Sequence, residues 1–327
     1  MVNIGIMSFA HMHAYSYAAC FNALPGVKLA GIWDDDKKRG QAAAKQFNTT
    51  YTGNLTQFLS GKMEGVCICS ENVKHRSMVE EAAAAGKWIL CEKPLSPSLE
   101  DAKAMVKACK QAKVGLGAAF PCRFAPTLMA VRDRIRAGEF GEIYAASCTN
   151  HGQSPGGWFA DDVLAGGGAT MDHTVHVVDL MRWIFDREFT KVHCESGNQL
   201  HKKTLKTDDL GSLNLEMEGG MQVSHLASWS RPKSYPTWGD VTMEFIGSKG
   251  VLYVDAFGQK VNVYSDRAAR SEWASYGDNP DLGLVHDFIE SIRERRSPCA
   301  SGEDGVAATA VTVAAYKSIK AGKAVRI

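Results

Sequence analysis

The fold is decided by the stretch Val2-Asn3-Ile4-Gly5-Ile6-Met7-Ser8-Phe9-Ala10-His11-Met12-His13, a short apolar run that leads into a turn and a helix. A dinucleotide-binding turn has the pattern G-x-G-x-x-G/A, in which small residues permit a tight turn and the close approach of a phosphate. Gly5 and Ala10 fit this pattern, whereas Met7 takes the place of the second glycine. The helix that follows would offer unpaired N–H groups to a phosphate. The alternative is a turn that merely joins a strand to a helix.

The chain continues this alternation as far as residue 120. Short β-branched or apolar runs alternate with alanine-rich amphipathic stretches, which is the pattern of repeated βαβ units. Predicted strands cover residues 3–7, 28–33, 65–69, 88–91 and 115–119, and predicted helices cover 13–24, 37–47, 75–85 and 98–113. We therefore expect an α/β protein whose residues 1–120 form an NAD-binding Rossmann domain with a doubly wound parallel sheet.

The pattern changes after Phe120. Two helices are predicted near 125–137 and 168–185, and strands follow at 191–200, 210–217, 221–229, 242–246 and 251–254 with little helix between them. Such a run of strands indicates an antiparallel or mixed sheet. Residues 121–327 are therefore predicted to form a second domain of the α+β type.

Composition excludes several classes of protein. The 37 basic and 36 acidic residues leave a net charge of +1, which does not favour nucleic acid. Nine cysteines without a C-x-x-C spacing indicate buried reduced thiols and a reducing compartment. The first apolar run is too short for a secretory signal, and no segment is long enough to span a membrane. We expect a soluble, cytoplasmic protein with no membrane partner.

The second predicted strand ends in Gly31-Ile32-Trp33-Asp34. A carboxylate at this tip accepts the ribose hydroxyls of an adenosine and repels a 2′-phosphate, so NAD is favoured over NADP. The alternative is a helix N-cap, which Asp34, Asp35 or Asp36 could provide. Lys37, Lys38 and Arg39 are close enough to receive a phosphate.

The sequence Cys91-Glu92-Lys93-Pro94 follows a buried parallel strand, where ligands of open α/β sheets bind. Charged groups are costly there unless they are paired or used. Lys93 could orient and polarise a substrate hydroxyl, and a cis peptide before Pro94 would be one way to aim it. The alternative is a surface ion pair followed by a helix cap.

A glycine run, Gly166-Gly167-Gly168, precedes a helix that carries Asp172, His176 and Asp179 along one stripe. Asp172 lies one turn before His176, so the carboxylate could hold the imidazole in one tautomer and raise its basicity. A structural histidine is the alternative. Asp172, His151, His173 and His176 could also be assembled into a metal site, but they lack the H-E-x-x-H pattern, and we expect no metal.

These residues resemble the glucose–fructose oxidoreductase, inositol dehydrogenase and rhizopine-catabolism family (Gfo/Idh/MocA) over essentially the whole chain. The family begins with G-x-G-x-x-G-x-x-H, and the corresponding residues here are Gly5, Met7, Ala10 and His13. Glu92-Lys93-Pro94 resembles the family's E-K-P. The family's motif G-G-x-x-x-D-x-G-x-H-x-x-D corresponds to Gly167-Gly168, Asp172, His176 and Asp179. Residues 302–325 resemble the family's last helix and short closing strand. Met7, Glu71 and Thr174 depart from residues common in the family.

The resemblance implies a catalytic trio of Lys93, Asp172 and His176, with His176 as the base. Cofactor binding is assigned to Gly5, Met7, Ser8, Phe9, Ala10, His13, Asp34, Asp35, Ser70, Asn72, His75, Glu92 and Lys93. Substrate contacts are assigned to Arg123, Trp158, Asp172, His173 and His176. It further implies that residues 121–327 are a substrate-binding and oligomerisation domain with a large, mostly antiparallel, open-faced sheet. The open face of this sheet would pair with another subunit, as a homodimer or homotetramer.

The function that follows is an NAD(P)-dependent dehydrogenase acting on a CH–OH group of a sugar or polyol such as an inositol. A second hypothesis is an NAD-dependent enzyme that cleaves a glycosidic bond by transient oxidation and elimination. A third is a cofactor-binding sensor without catalysis, against which the intact trio argues.

Overall fold

The protein is described by a computed structural model that covers residues 1–267, 270–275 and 277–327. It contains two compact units, one formed by Met1–Pro121 with Asp281–Thr309 and the other by Cys122–Pro280 with Ala310–Ile327. The sequence prediction placed residues 281–309 in the second domain, whereas they pack in the first unit. One reason is an antiparallel bridge between Ser301 and Gly117, which extends the edge of the first sheet.

The first unit is built on a sheet of five parallel strands in the order β2-β1-β3-β4-β5. The strands are β1 Val2–Met7, β2 Val27–Trp33, β3 Gly65–Ile68, β4 Trp88–Cys91 and β5 Leu116–Ala118. The helices are α1 His13–Ala23, α2 Lys37–Gln46, α3 Leu55–Leu59, α4 His75–Ala84 and α5 Leu99–Ala112. The predicted doubly wound parallel sheet is confirmed.

The strand order decides where a ligand can bind in this unit. The chain moves outward from β1 to β2 and then returns to place β3 on the other side of β1, so the order reverses between β1 and β3. Open α/β sheets bind ligands outside the carboxyl ends of the strands at such a switch point. The segments that follow β1 and β3 therefore lie at the predicted site.

Gly5 in β1 is needed for packing. A Cβ on Gly5 would lie 2.5 Å from the ring of Phe58 and 2.6 Å from the sulfur of Met63. Met7, at the end of β1, is fully buried in a core cluster that also contains Val66 and Ile68. The methionine at the second glycine position therefore lies in the hydrophobic core, away from the solvent from which a nucleotide would approach.

The second unit contains a seven-stranded sheet in the order β11-β10-β6-β9-β8-β7-β14, in which only the β6–β9 pair is parallel among the described strands. Its strands are β6 Ile143–Gly152, β7 Phe189–Gly197, β8 Leu210–Met217, β9 Gln222–Ser228, β10 Gly239–Gly247, β11 Gly250–Asp255 and β14 Val325–Arg326. A separate hairpin joins β12 Lys260–Ser265 to β13 Arg270–Ser275. The predicted mostly antiparallel sheet is confirmed.

The helices of the second half are α6 Pro126–Arg136, α7 Asp162–Ala165, α8 Ala169–Phe185, α9 Pro280–Glu294 and α10 Gly302–Ala321. Helix α8 packs against β6, β8 and β9 on one face of the large sheet. The opposite face carries alternate residues that are exposed, among them the apolar side chains of Leu226, Ile246, Val251 and Tyr253. One face of this sheet is thus covered by helix, while an apolar region of the other remains exposed.

The nine cysteines all fall in the described ranges, and each is a free thiol; eight of them are buried. Burial raises the pKa of several of these thiols, with Cys148 at about 12. The prediction of buried reduced thiols is confirmed.

Within the described residues, no helix combines the length and the apolar character that crossing a membrane requires.

Candidate active site

The turn after β1 has a left-handed residue at its centre. Ser8 is fully buried with φ +73°, a conformation that favours glycine. The Ala10 amide donates to the Ser8 Oγ at 3.1 Å, and the Phe9 amide donates to Asp34 Oδ2 at 2.8 Å. Because these bonds tie the turn to the tip of β2, the strained Ser8 conformation is held by its surroundings.

Asp34 at the end of β2 is buried and accepts four hydrogen bonds. Its Oδ1 accepts from the Asp36 amide at 2.8 Å and from Arg39 Nη2 at 2.7 Å, and its Oδ2 accepts from the Phe9 amide and from Arg39 Nε at 2.9 Å. The N-cap of α2 is Asp36, which accepts from the Arg39 amide at 3.0 Å. Asp34 is thus not the cap, and its carboxylate is held bidentately by Arg39.

The neighbouring Asp35 links the segment after β2 to the segment after β3. Its carboxylate lies 3.0 Å from Arg39 Nη2 and 2.5 Å from Lys74 Nζ, which follows β3. These cations hold the pKa of Asp35 below its usual value although burial opposes them. Ser70 and Asn72, also predicted to bind the cofactor, are buried in the same segment after β3.

Glu92 organises the segment that carries Lys93. Glu92 is fully buried; its Oε2 accepts from the Lys93 amide at 2.9 Å, and its Oε1 lies 3.0 Å from His13 Nδ1 and 3.8 Å from His11 Nδ1. Burial would raise the pKa of Glu92, but the two histidines and Lys93 hold it well below its usual range. Burial would lower the pKa of His13, but the charge of Glu92 outweighs it and the pKa is raised.

Among the residues that the structure describes, one group could hold a metal ion: the ligand-type atoms of His11, His13 and Glu92 lie within 4.8 Å of one another. The hydrogen bonds of Glu92 with His13 and with the Lys93 amide account for a buried carboxylate at this place without a metal ion. The peptide between Lys93 and Pro94 is cis. His75 lies beneath this segment, fully buried, with Nδ1 3.1 Å from the Pro94 carbonyl oxygen, and burial lowers its pKa.

In the second unit, the glycine run ends where α8 begins. The carboxylate of Asp208 accepts from the Gly168 amide at 3.1 Å and from the Thr170 amide at 2.8 Å, and it also accepts from the Tyr316 hydroxyl at 2.6 Å. A Cβ on Gly168 would lie 1.8 Å from the Asp208 carbonyl oxygen. Glycine at 168 therefore permits Asp208 to cap the helix that carries the predicted catalytic residues.

Asp172 lies in the first turn of α8, where two ring nitrogens approach its carboxylate. The indole Nε1 of Trp229 donates to Asp172 Oδ2 at 3.2 Å, and His173 Nε2 lies 3.3 Å from the same oxygen. His173 Nδ1 lies 2.8 Å from the backbone carbonyl oxygen of Asn150. His176 follows Asp172 by one helical turn and is also buried. The sequence analysis paired Asp172 with His176; the structure places Trp229 and His173 against the Asp172 carboxylate.

Arg123 forms a buried ion pair with Asp179. The guanidinium donates from Nε to Oδ2 at 2.8 Å and from Nη2 to Oδ1 at 2.5 Å, and the side chains are 4% and 1% exposed. The pair connects the segment before α6 to the third polar residue of the α8 stripe. Trp158, which was also predicted to contact substrate, stacks on Phe159 with ring centroids 3.8 Å apart.

Several residues at these sites carry no sequence signal. Asp208, Trp229 and Asn150 belong to no motif, and each reaches α8 from a distant part of the chain. Arg39 was noted only as a cation near a phosphate, whereas it binds Asp34. Lys93 belongs to the first unit, and Asp172 and His176 belong to the second.

Comparison with known proteins assigns the class. A family model described as an oxidoreductase family with an NAD-binding Rossmann fold matches residues 2–120, and a model described as the GFO/IDH/MocA C-terminal domain matches residues 128–253. The two models together define an oxidoreductase whose first domain binds NAD. The chain belongs to the GFO/IDH/MocA family of oxidoreductases.

Individual relatives cover most of the chain. A myo-inositol 2-dehydrogenase of Thermotoga maritima is 26% identical over 272 residues, which cover 81% of this chain and 80% of that protein. The scyllo-inositol 2-dehydrogenase (NAD(+)) of Bacillus subtilis is 26% identical over 342 residues, covering 100% of this chain and 96% of that protein. The crystal structure of GenD2 from gentamicin A biosynthesis, in complex with NAD, has a TM-score of 0.90 at 23% identity, with 100% and 96% of the two chains covered. This last likeness shows the fold.

Proposed function

We propose that this protein is an NAD-dependent dehydrogenase that oxidises or reduces a CH–OH carbon of a sugar or polyol, with inositols as the first candidates. The observation that carries the proposal is the buried start of α8, where Asp172 and His176 lie one turn apart behind a capped glycine run. The family relationship and the inositol dehydrogenases among the relatives support the substrate class.

The first unit fits an NAD molecule. The turn at Ser8–Ala10 and the residues after β3 lie at the switch point of the sheet, where open α/β sheets bind their ligands. We assign Ser8, Phe9 and Ala10 to the pyrophosphate and Asp34 to the adenosine ribose. A carboxylate has about four acceptor positions, and all four on Asp34 are used, two of them by Arg39. A ribose that binds Asp34 therefore replaces at least one of the two hydrogen bonds from Arg39. The remaining assigned positions, Gly5, Met7, His13, Asp35, Ser70, Asn72 and His75, support this site from the core or its edge.

When bound, NAD supplies the acceptor or donor of the hydride. The protein's own residues accept the proton of the substrate hydroxyl and orient that hydroxyl. His176 accepts the proton of the substrate hydroxyl at a ring nitrogen, Lys93 orients and polarises that hydroxyl, and Asp172 supports the base. Glu92 positions Lys93 through the amide hydrogen bond.

Direct substrate recognition is assigned to Trp158, with Arg123 acting indirectly; His173, the third position predicted to contact substrate, has its two ring nitrogens against Asn150 and Asp172 and is assigned no direct contact. Trp158 is stacked on Phe159, so its ring is held in a fixed orientation against which the C–H face of a sugar can pack. Arg123 contributes by fixing Asp179 and the middle of α8, because its guanidinium makes a bidentate pair there.

The test supplies purified protein with NAD and a panel of inositols, other polyols and sugars, and follows NADH. We expect NADH to accumulate with at least one polyol. His176→Ala should abolish turnover and leave NAD affinity near that of the wild type. His286→Ala, at an exposed position of α9, is the matched control and should leave turnover unchanged. Near-normal turnover in His176→Ala would refute the assigned mechanism.

The same experiment separates the other hypotheses. Release of a sugar from a glycoside without accumulation of NADH would favour cleavage by transient oxidation and elimination. NAD binding without turnover of any compound in the panel would favour a sensor.

We further propose that the protein is a cytoplasmic homodimer or homotetramer that pairs through the open face of the seven-stranded sheet. Val251, Tyr253 and Ile246 are 57%, 65% and 47% exposed on adjacent strands, which makes an apolar patch of the kind found at interfaces. Light scattering should give the mass of a dimer or tetramer, and Tyr253→Lys should lower this mass; a monomeric wild type would refute the proposal.

The near-neutral net charge of the chain argues against a nucleic-acid partner.

A further inference from the structure

The imidazole of His173 lies between two hydrogen-bond acceptors. Its Nδ1 is 2.8 Å from the backbone carbonyl oxygen of Asn150, and its Nε2 is 3.3 Å from Asp172 Oδ2. A peptide carbonyl only accepts hydrogen bonds, so Nδ1 must carry a proton. In a neutral ring Nε2 would then present a lone pair to the carboxylate, and the two acceptors would repel.

The packing keeps the ring in this orientation. His173 is 4% exposed, and the ring of Trp229 meets it edge-on at 6.5 Å. A Cβ at Gly152 would lie 2.9 Å from the Cε1 of His173, so the glycine at the end of β6 makes room for the ring. The Asn150 acceptor is a main-chain oxygen, and its identity does not depend on an amide flip.

The charged and titratable groups around the ring are compatible with a positive charge. On α8 itself, Asp172 is adjacent and His176 is three residues further on. On β6, His151 lies 3.0 Å from Asp240 of β10, which also accepts from Arg231. On β9, burial lowers the pKa of His225 to about 3, so that this neighbour is neutral and does not repel a cation.

We propose that His173 is a positioning residue that carries both ring protons at neutral pH, and that this imidazolium keeps the Asp172 carboxylate ionised and oriented. Nδ1–H then donates to Asn150, Nε2–H donates to Asp172, and Trp229 donates to the same carboxylate oxygen. Asp172 is thereby an acceptor that supports the base and is not itself the base. This catalytic consequence rests on the proposed function, whereas the protonation state does not.

The direct test is side-chain NMR of the ligand-free protein labelled at the histidine nitrogens. We expect the His173 signals, identified by their loss in His173→Gln, to show both nitrogens protonated at neutral pH. In Asp172→Asn, an isosteric change, the ring should lose the Nε2 proton and keep the proton on Nδ1. A wild-type His173 with a single ring proton, or a His173 spectrum unchanged by Asp172→Asn, would overturn the proposal. Neither result depends on finding a substrate, so this failure is distinct from failure of the proposed function.

A kinetic test uses the substrate that the activity panel identifies. Without the adjacent cation Asp172 binds a proton more readily, so the acidic limb of the kcat profile of His173→Gln should move to higher pH. Loss of a charge-assisted hydrogen bond predicts a decrease in kcat of about 10- to 100-fold with little change in the KM for NAD. His286→Gln is the matched control. A variant with an unmoved acidic limb would show that His173 has a structural role only, and would overturn the proposal.

Discussion

Replacing Asp179 with alanine leaves the Arg123 guanidinium in the interior of the second unit without the carboxylate that now binds it bidentately. The two hydrogen bonds are 2.8 and 2.5 Å long, and the side chains are 4% and 1% exposed. Removing one member of a buried ion pair costs about 3–5 kcal/mol because an uncompensated charge remains. In a unit of this size each kcal/mol lowers the unfolding midpoint by about 2–4 °C, so we expect a decrease of roughly 6–20 °C.

The assay is thermal unfolding of the two single variants and of the double variant Arg123→Met/Asp179→Leu. Replacing both members with apolar side chains of similar volume removes the uncompensated charge, so the double variant should recover most of the loss. Glu139→Ala is the control, because it breaks an Arg134–Glu139 pair of the same chemistry on the surface, where ion pairs contribute little. A decrease of less than about 3 °C in Asp179→Ala, or no recovery in the double variant, would refute the reasoning.

Three further predictions concern single side chains. Asp34→Ser should raise the KM for NAD by about 10-fold or more and improve the use of NADP, because Arg39 loses its carboxylate and can bind a 2′-phosphate; an unchanged ratio of the two KM values would contradict this. The pKa of His13 is raised above 6.5 because the charge of Glu92 outweighs burial, so the stabilisation is present below that pH and is lost as the pH rises through the folded-state pKa. Unfolding midpoints of His13→Gln should lack this alkaline decline, and a decline equal to that of the wild type would argue against it. Burial lowers the pKa of His225 to about 3, so the unfolded state binds more protons in mild acid, and the wild type should lose about 2 kcal/mol between about pH 7 and about pH 5. Denaturant titrations of His225→Leu should not show that loss.

The sequence by itself determined the elements and the family. The alternation of apolar runs and amphipathic helices is a local pattern with a period of two or 3.6 residues, and the strands of the first unit follow it within a few residues. Asp34, Lys93 and the stripe on α8 could be identified because each lies at a fixed spacing from a strand end or along one helix. Resemblance to the family was carried by the same short motifs.

The tertiary structure alone decided what these residues contact. Trp229 donates to Asp172 across 57 residues of sequence, Asp208 caps α8 across 40, and Arg123 binds Asp179 across 56. Periodicity contains no information about such pairs, because they arise when separate elements pack. The sequence therefore placed Asp172 one turn from His176, and only the packed structure showed that His173 lies between Asp172 and a main-chain carbonyl. Likewise, Gly5 belongs to a binding motif by spacing, but its missing Cβ is required by the ring of Phe58.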